Sequence, residues 1–369
     1  MNEPIGVSPL SKQEDRRSIE NRQSIIMRNV KKIINKHGLD GEEWAQAVSS
    51  QYFLICLADR MKIKNRGYKE LLNTSLGCYD VTYDDKVVLD PKKLLITPKE
   101  TAQIVESMRR EDENDDYFKR YKRMSAENIN AEQMYFNFHH GLQVRMASSE
   151  KTDVLKKIAK LSLDVLTDEN AIDTAGGWYP YRVPWITARI LISLKHISYD
   201  DYEGKEQLDC IIEEAIDSLF ARIDEKDGYW RSGVGTWVSK WESTALCLEA
   251  IHEWDSIEAN KARIDNVISY LTQKSIFEEW ISGLEGFDTE DKANSSLATV
   301  ILASVLYRVL RKHYNEEFQN YRNRLLNLFD EAVNMISSKG KKACQQYCTI
   351  PQVLYYVVEA IYLDMNSEA

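Results

Sequence analysis

The sequence predicts an all-α fold, an α/α toroid of about six helical hairpins with a decorated N-terminal third. Three observations predict it. From residue 150 onward a pair of helices recurs four times, and the apolar helices of the pairs begin at Trp185, Trp241, Asn294 and Ile350. Those starts are separated by 56, 53 and 56 residues, a period that marks an internal two-helix repeat. Within each pair the first helix is amphipathic and the second is apolar on nearly all sides, so one faces water and the other must be surrounded by protein. Only 15 Gly and 7 Pro occur in 369 residues, too few turn formers for a chain of short strands.

The elements follow in order. Ser18 to Ile34 and Glu43 to Cys56 make a first hairpin of outer and inner helices. Residues 65–96 alternate like a short β-hairpin or an extended excursion. Thr97 to Lys122 and Glu132 to Met146 make a second hairpin. Val154, Leu155, Ile158, Leu161, Val165 and Leu166 line one face of the next helix, opposite Lys156, Lys157 and Lys160. The loop through Gly176-Gly177-Trp178 then leads into the apolar run from Trp185. Glu206–Ile223, Ala259–Ile276 and Phe318–Ile336 are the amphipathic members of the later pairs. Residues 1–125 form an N-terminal helical region carrying the 65–96 insert, and residues 126–369 the repeats. One continuous toroid starting near residue 17 is favoured over two separate domains.

Composition bounds the function. Lys plus Arg number 48 and Asp plus Glu 58, a net charge of −10 that repels phosphate backbones and argues against general nucleic-acid binding. The polar N-terminus carries no secretory h-region, and no uninterrupted apolar run of 18 residues suggests a membrane span. The six cysteines, Cys56, Cys78, Cys210, Cys247, Cys344 and Cys348, form no CxxC pair, and most sit among apolar residues. They read as buried free thiols in a reducing, cytoplasmic setting. His139-His140 has no carboxylate at metal-ligand spacing. His196 and His252 lie near the ends of apolar helices, where a cation suits the dipole. No dinucleotide, P-loop or nucleophile-elbow motif occurs.

The segments 176–194 and 227–251 carry a more specific signature. Gly-Gly-Trp or Gly-x-Trp, a short loop, and then Trp185-Ile-Thr187-Ala188 or Trp241-Glu-Ser-Thr244-Ala245 open an apolar helix. Glycine permits the tight entry, the aromatic wedges between hairpins, and Thr and Ala let helices approach closely. These residues resemble the repeats of the terpenoid cyclase/protein prenyltransferase α/α-toroid superfamily, over roughly residues 150–310. The resemblance implies a zinc site in which Asp291 takes the place of the ligand Asp, but Ala293 stands where the family has its ligand Cys. No metal and no other cofactor is therefore expected. It also implies a second chemistry. Asp288-Thr289-Glu290-Asp291 has the outline of the alkene-protonating acid of class II terpene cyclases, with Glu290 in the donor position. Lys292 directly after it opposes that role. A helix-capping part for Asp288, with Glu290 and Asp291 in the first turn, explains the same residues. Toroidal glycoside hydrolases and lyases need a carboxylate pair, for which Asp173, Asp227, Glu242 and Asp288 are loop-proximal candidates.

Each repeat loop also sets a cation beside aromatics. Arg182 lies among Tyr179, Tyr181 and Trp185, after Trp178; Arg231 and Lys240 among Trp230, Trp237 and Trp241; Lys292 follows Phe287. Converging at one rim, these residues would hold a protein or peptide segment or an anionic small molecule. The leading expectation is thus a binding or regulatory module; snorkelling cations over wedge aromatics account for the pattern equally. With Ala293 in the ligand position, elemental analysis of the purified protein is expected to find no stoichiometric zinc.

Overall fold

The computed structural model describes residues 9–39, 48–77, 82–83, 86–87, 163, 166–167, 176–178, 184–195, 199, 202–224, 228–231, 238–339 and 349–366. The described part is mostly helical, in keeping with an all-α fold. In chain order the helices are α1 (Pro9–His37), α2 (Val48–Arg60), α3 (Arg66–Gly77), α4 (Pro184–Lys195), α5 (Lys205–Ala221), α6 (Lys240–Glu253), α7 (Lys261–Thr272), α8 (Lys274–Ile281), α9 (Glu290–His313), α10 (Asn315–Lys339) and α11 (Thr349–Asn366). The four apolar helices begin within a few residues of where the repeat places them. The insert is corrected at its start, where residues 66–77 are helical; among the described residues beyond, Thr82–Tyr83 and Lys86–Val87 pair antiparallel as a minimal hairpin. The third amphipathic helix is also broken in two at Gln273, whose extended ψ of 129° separates α7 from α8. The expected helices at 97–122 and 132–146 lie outside the described residues.

The apolar helices pack in succession: α4 on α6, α6 on α9, α9 on α11, and α11 on α2. The amphipathic helices lie beside them, α5 against α4, and α10 against α9 and α1. The successive apolar helices run parallel. The Lys195 ammonium at the end of α4 lies 4.9 Å from the ring of Trp254, which follows α6. Beyond α6, Asp255 meets Lys312 near the end of α9. Among the described residues α9 has a stretch, Asp291–His313, long and apolar enough to cross a bilayer. Other helices surround nearly all of it, as for the core helix of a helical assembly.

One hydrogen-bonded unit recurs three times along the chain, twice from a loop and once from α8. Trp178, Trp230 and Trp280 are buried, and each donates its indole N–H to the carbonyl of a leucine in the preceding amphipathic segment: Leu166 (2.9 Å), Leu219 (2.8 Å) and Leu271 (3.1 Å). The backbone of the same tryptophan bonds a threonine of the following apolar helix. Trp178 and Trp230 donate N–H to the hydroxyls of Thr187 (3.3 Å) and Thr244 (3.1 Å); Thr299 donates to the Trp280 carbonyl (2.9 Å). The end of a helix leaves carbonyls without intrahelical donors, and the indole supplies one while burying a large apolar ring. Gly177 shows why glycine precedes the first tryptophan: φ is +90°, and a Cβ there would lie 2.5 Å from the Thr187 hydroxyl. Replacing Trp230 by Phe keeps most of the buried ring but removes the indole hydrogen bond, leaving the Leu219 carbonyl only the Arg222 N–H. It is expected to lower stability by about 0.5–1.5 kcal/mol, measured by denaturant titration.

Candidate functional site

The loop ends of α6 and α9 hold the residues singled out for a rim, and the structure divides them. Trp178, Trp230 and Phe287 are in the core rather than at a rim. Their large apolar surfaces gain more from burial, and the two indoles have their hydrogen bonds there. The three described cations are held by carboxylates. Arg231 pairs with Asp224; Lys240 pairs with Glu279 at 3.0 Å while lying 4.2 Å above the Trp241 ring; Lys292 pairs with Asp288 at 3.3 Å. Tyr179, Tyr181, Arg182 and Trp237 lie outside the described residues, as do Asp173, Asp227, His139, His140, His196, Cys78, Cys344 and Cys348. The three described cations thus each form a local pair.

The acid motif is also differently placed. Thr289, not Asp288, caps α9, its hydroxyl accepting from the Lys292 N–H at 3.4 Å. Asp288 and Asp291 are exposed, so the burial on which an alkene-protonating acid depends is not found at either. Glu290 opens the helix; its side chain lies outside the description. Of the thiols, Cys247 is buried and its pKa is pushed well up by that burial, whereas Cys210 is exposed on α5, contrary to the expected burial.

The dense chemistry lies elsewhere, between the apolar helices. Ser239 caps α6 by accepting from the Glu242 N–H at 3.2 Å. Ser-x-x-Glu reads as a capping box, but the Glu242 carboxylate turns to Arg189 of α4 instead, at 3.1 Å. Two turns further on, Glu249 accepts from the Arg308 guanidinium of α9 and, on its other oxygen, from the Tyr356 hydroxyl of α11 at 3.1 Å. Arg308 also reaches Glu253 at 3.2 Å. Glu359, one turn beyond Tyr356, receives both Nε and Nη2 of Arg60 from α2, at 2.7 and 2.9 Å. Five apolar helices each contribute at least one ionisable side chain to this cluster.

Glu249, Arg308 and Glu359 are almost wholly buried, with side-chain exposures of 6%, 3% and 7%. Burial raises the pKa of Glu242 and Glu249, and the neighbouring Arg189 and Arg308 pull each of them back down in part. Burial acts to lower the pKa of Arg308, but Glu249, Glu359 and Glu253 outweigh it, and the pKa rises. Tyr356 is pushed well up by burial and then by Glu249. Most hydrogen-bonding atoms of the cluster face one another; the Arg308 Nε is buried without a hydrogen-bond partner among the described residues. Among those residues no group of three or more His, Cys, Asp or Glu is arranged for a metal ion. Chemically, the arrangement neutralises charge within the core and locks neighbouring helices in register.

Of these residues only Glu242 was singled out from the sequence, as a loop-proximal carboxylate. The missed signal was available: a charge inside a helix otherwise apolar on every side, such as Glu249, Arg308 or Glu359, must find a buried partner. No family model, curated protein or solved structure matches the chain.

The cluster makes a measurable demand. Arg308→Met strands two carboxylates and is expected to cost about 3–5 kcal/mol in chemical denaturation. Adding Glu249→Leu to that variant removes the most buried stranded charge and is expected to recover much of the loss.

Proposed function

We propose that the chain closes into an α/α toroid and acts as a binding module, holding an acidic partner segment at its loop face, rather than as a terpenoid-cyclising enzyme. The parallel succession α4, α6, α9, α11, α2 supports the toroid. In that order the sequence leaves one place, between α2 and α4, for the hairpin expected at 97–146. The observation that carries the functional reading is the charged, self-paired cluster between the apolar helices. An isoprenoid must fold in an apolar, aromatic-lined cavity, and guanidinium and carboxylate groups there would keep water or each other.

A partner at the loop face would exchange with local pairs. Arg231 keeps 73% of its side chain exposed, and Lys240 and Lys292 about two-fifths. Exposed pairs of this kind contribute under about 1 kcal/mol, so an acidic segment competes for them at little cost. Two experiments on the full chain test the reading. A fluorescein-labelled oligoglutamate peptide is expected to bind in a salt-sensitive manner. Replacing Arg231, Lys240 and Lys292 together by Ala is expected to weaken it about a hundredfold, with the melting temperature little changed. Incubation with squalene or geranylgeranyl diphosphate is expected to yield no cyclised product by mass spectrometry. Cyclisation, absence of peptide binding, or equal binding by the triple variant would overturn the proposal.

A further inference from the structure

At the ends of α6 and α9, away from the loop face, two imidazoles meet inside a ring of charge. His252 and His313 lie edge to face, with ring centroids 5.6 Å apart and planes at 86°. The His252 Nδ1 is buried without a hydrogen-bond partner among the described residues, and so is the His313 Nε2. The other His313 nitrogen, Nδ1, lies 2.8 Å from Glu258. From α9, Arg308 and Lys312 also bear on His252. From the helix and turn on its own side come Glu253, paired with Arg308, and Asp255, paired with Lys312 at 2.6 Å. Lys195 of α4 acts on Asp255, and Lys261 of α7 pairs with Glu258 at 3.7 Å. Around His252, then, three groups repel a proton and the carboxylates that could welcome one are engaged with other cations.

We propose that this joint is an acid-sensitive latch: α6 and α9 are held together at these ends only while His252 is neutral, and a proton on His252 opens them locally. Burial first, and then Arg308, Lys312 and His313, depress the His252 pKa from 6.5 to about 3. The sign follows. A group whose folded pKa is depressed stabilises the closed joint fully above about 6.5 and loses that contribution as the pH falls towards about 3. Each unit below about 6.5 favours the opened joint tenfold, so at pH 5 opening is about thirtyfold easier than at pH 7.5. Asp255 and Glu258 have pKa values lowered by their hydrogen bonds to Lys312 and His313. They add acid sensitivity only in the carboxylate range, below the window in which His252 takes up its proton.

Amide hydrogen exchange on the full chain, corrected for the intrinsic pH dependence of exchange, reads the joint directly. In the wild type, residues 249–256 and 308–314 are expected to open about thirtyfold more readily at pH 5 than at pH 7.5, while residues 205–221 keep their protection. His252→Phe keeps an edge-to-face ring, carries no proton and forfeits no hydrogen bond; its joint is expected to lose that pH response. His252→Leu gives the same comparison if the larger ring prevents folding. Equal pH responses in the wild type and the variant, or no response in the wild type, would overturn the latch.

Discussion

A charge that enters the interior must bring its own counter-charge, and this constraint governs the arrangement of the apolar helices. Arg308 sits where α6, α9 and α11 come together, and no water-facing route satisfies its guanidinium. Glu249 and Glu253 meet it from α6, and Tyr356 of α11 completes Glu249. Such a pair adds little net stability against an apolar substitute, because desolvation consumes most of the attraction. What it adds is discrimination. Any packing that slides α9 by one turn past α6 separates the guanidinium from at least one of the two carboxylates.

The tryptophan units act between consecutive helices of the chain. Each ties the end of an amphipathic helix, through an indole N–H, to the start of an apolar helix, through a threonine hydroxyl. The polar demand of a helix terminus and the apolar demand of the core are thus met by one side chain. This explains how a repeat can be recognisable through a few positions while its helices vary freely. It also explains why Trp178 and Trp230, next to turns in the sequence, lie in the interior. Of the cations that accompany them, Lys240 lies over the Trp241 ring and is balanced by Glu279.

The helices themselves were legible because their periodicity is a burial signal, and burial is what a helix face records. Trp185, Trp241, Asn294 and Ile350 all fall within a few residues of observed helix starts. The break at Gln273 was not legible: the apolar pattern runs on through it, and only the need to bring Trp280 back to the Leu271 carbonyl turns the chain. The partners of Glu249 and Glu359 were not legible either. They lie 59 and 299 residues away, and a single sequence states that a buried charge needs a partner without naming it. Asp288 yielded its capping place to Thr289 because the two residues are interchangeable in that role, and local geometry chooses between them.

The pairing of Arg60 with Glu359 joins the second helix to the last one across those 299 residues. A ribosome adding about 5–20 residues per second takes roughly 15–60 s to cover that distance. For all of that time α2 exists without the helix that covers Phe53 and neutralises Arg60. The newborn α2 therefore carries an apolar face and an unpaired guanidinium long before the helix that covers them is made.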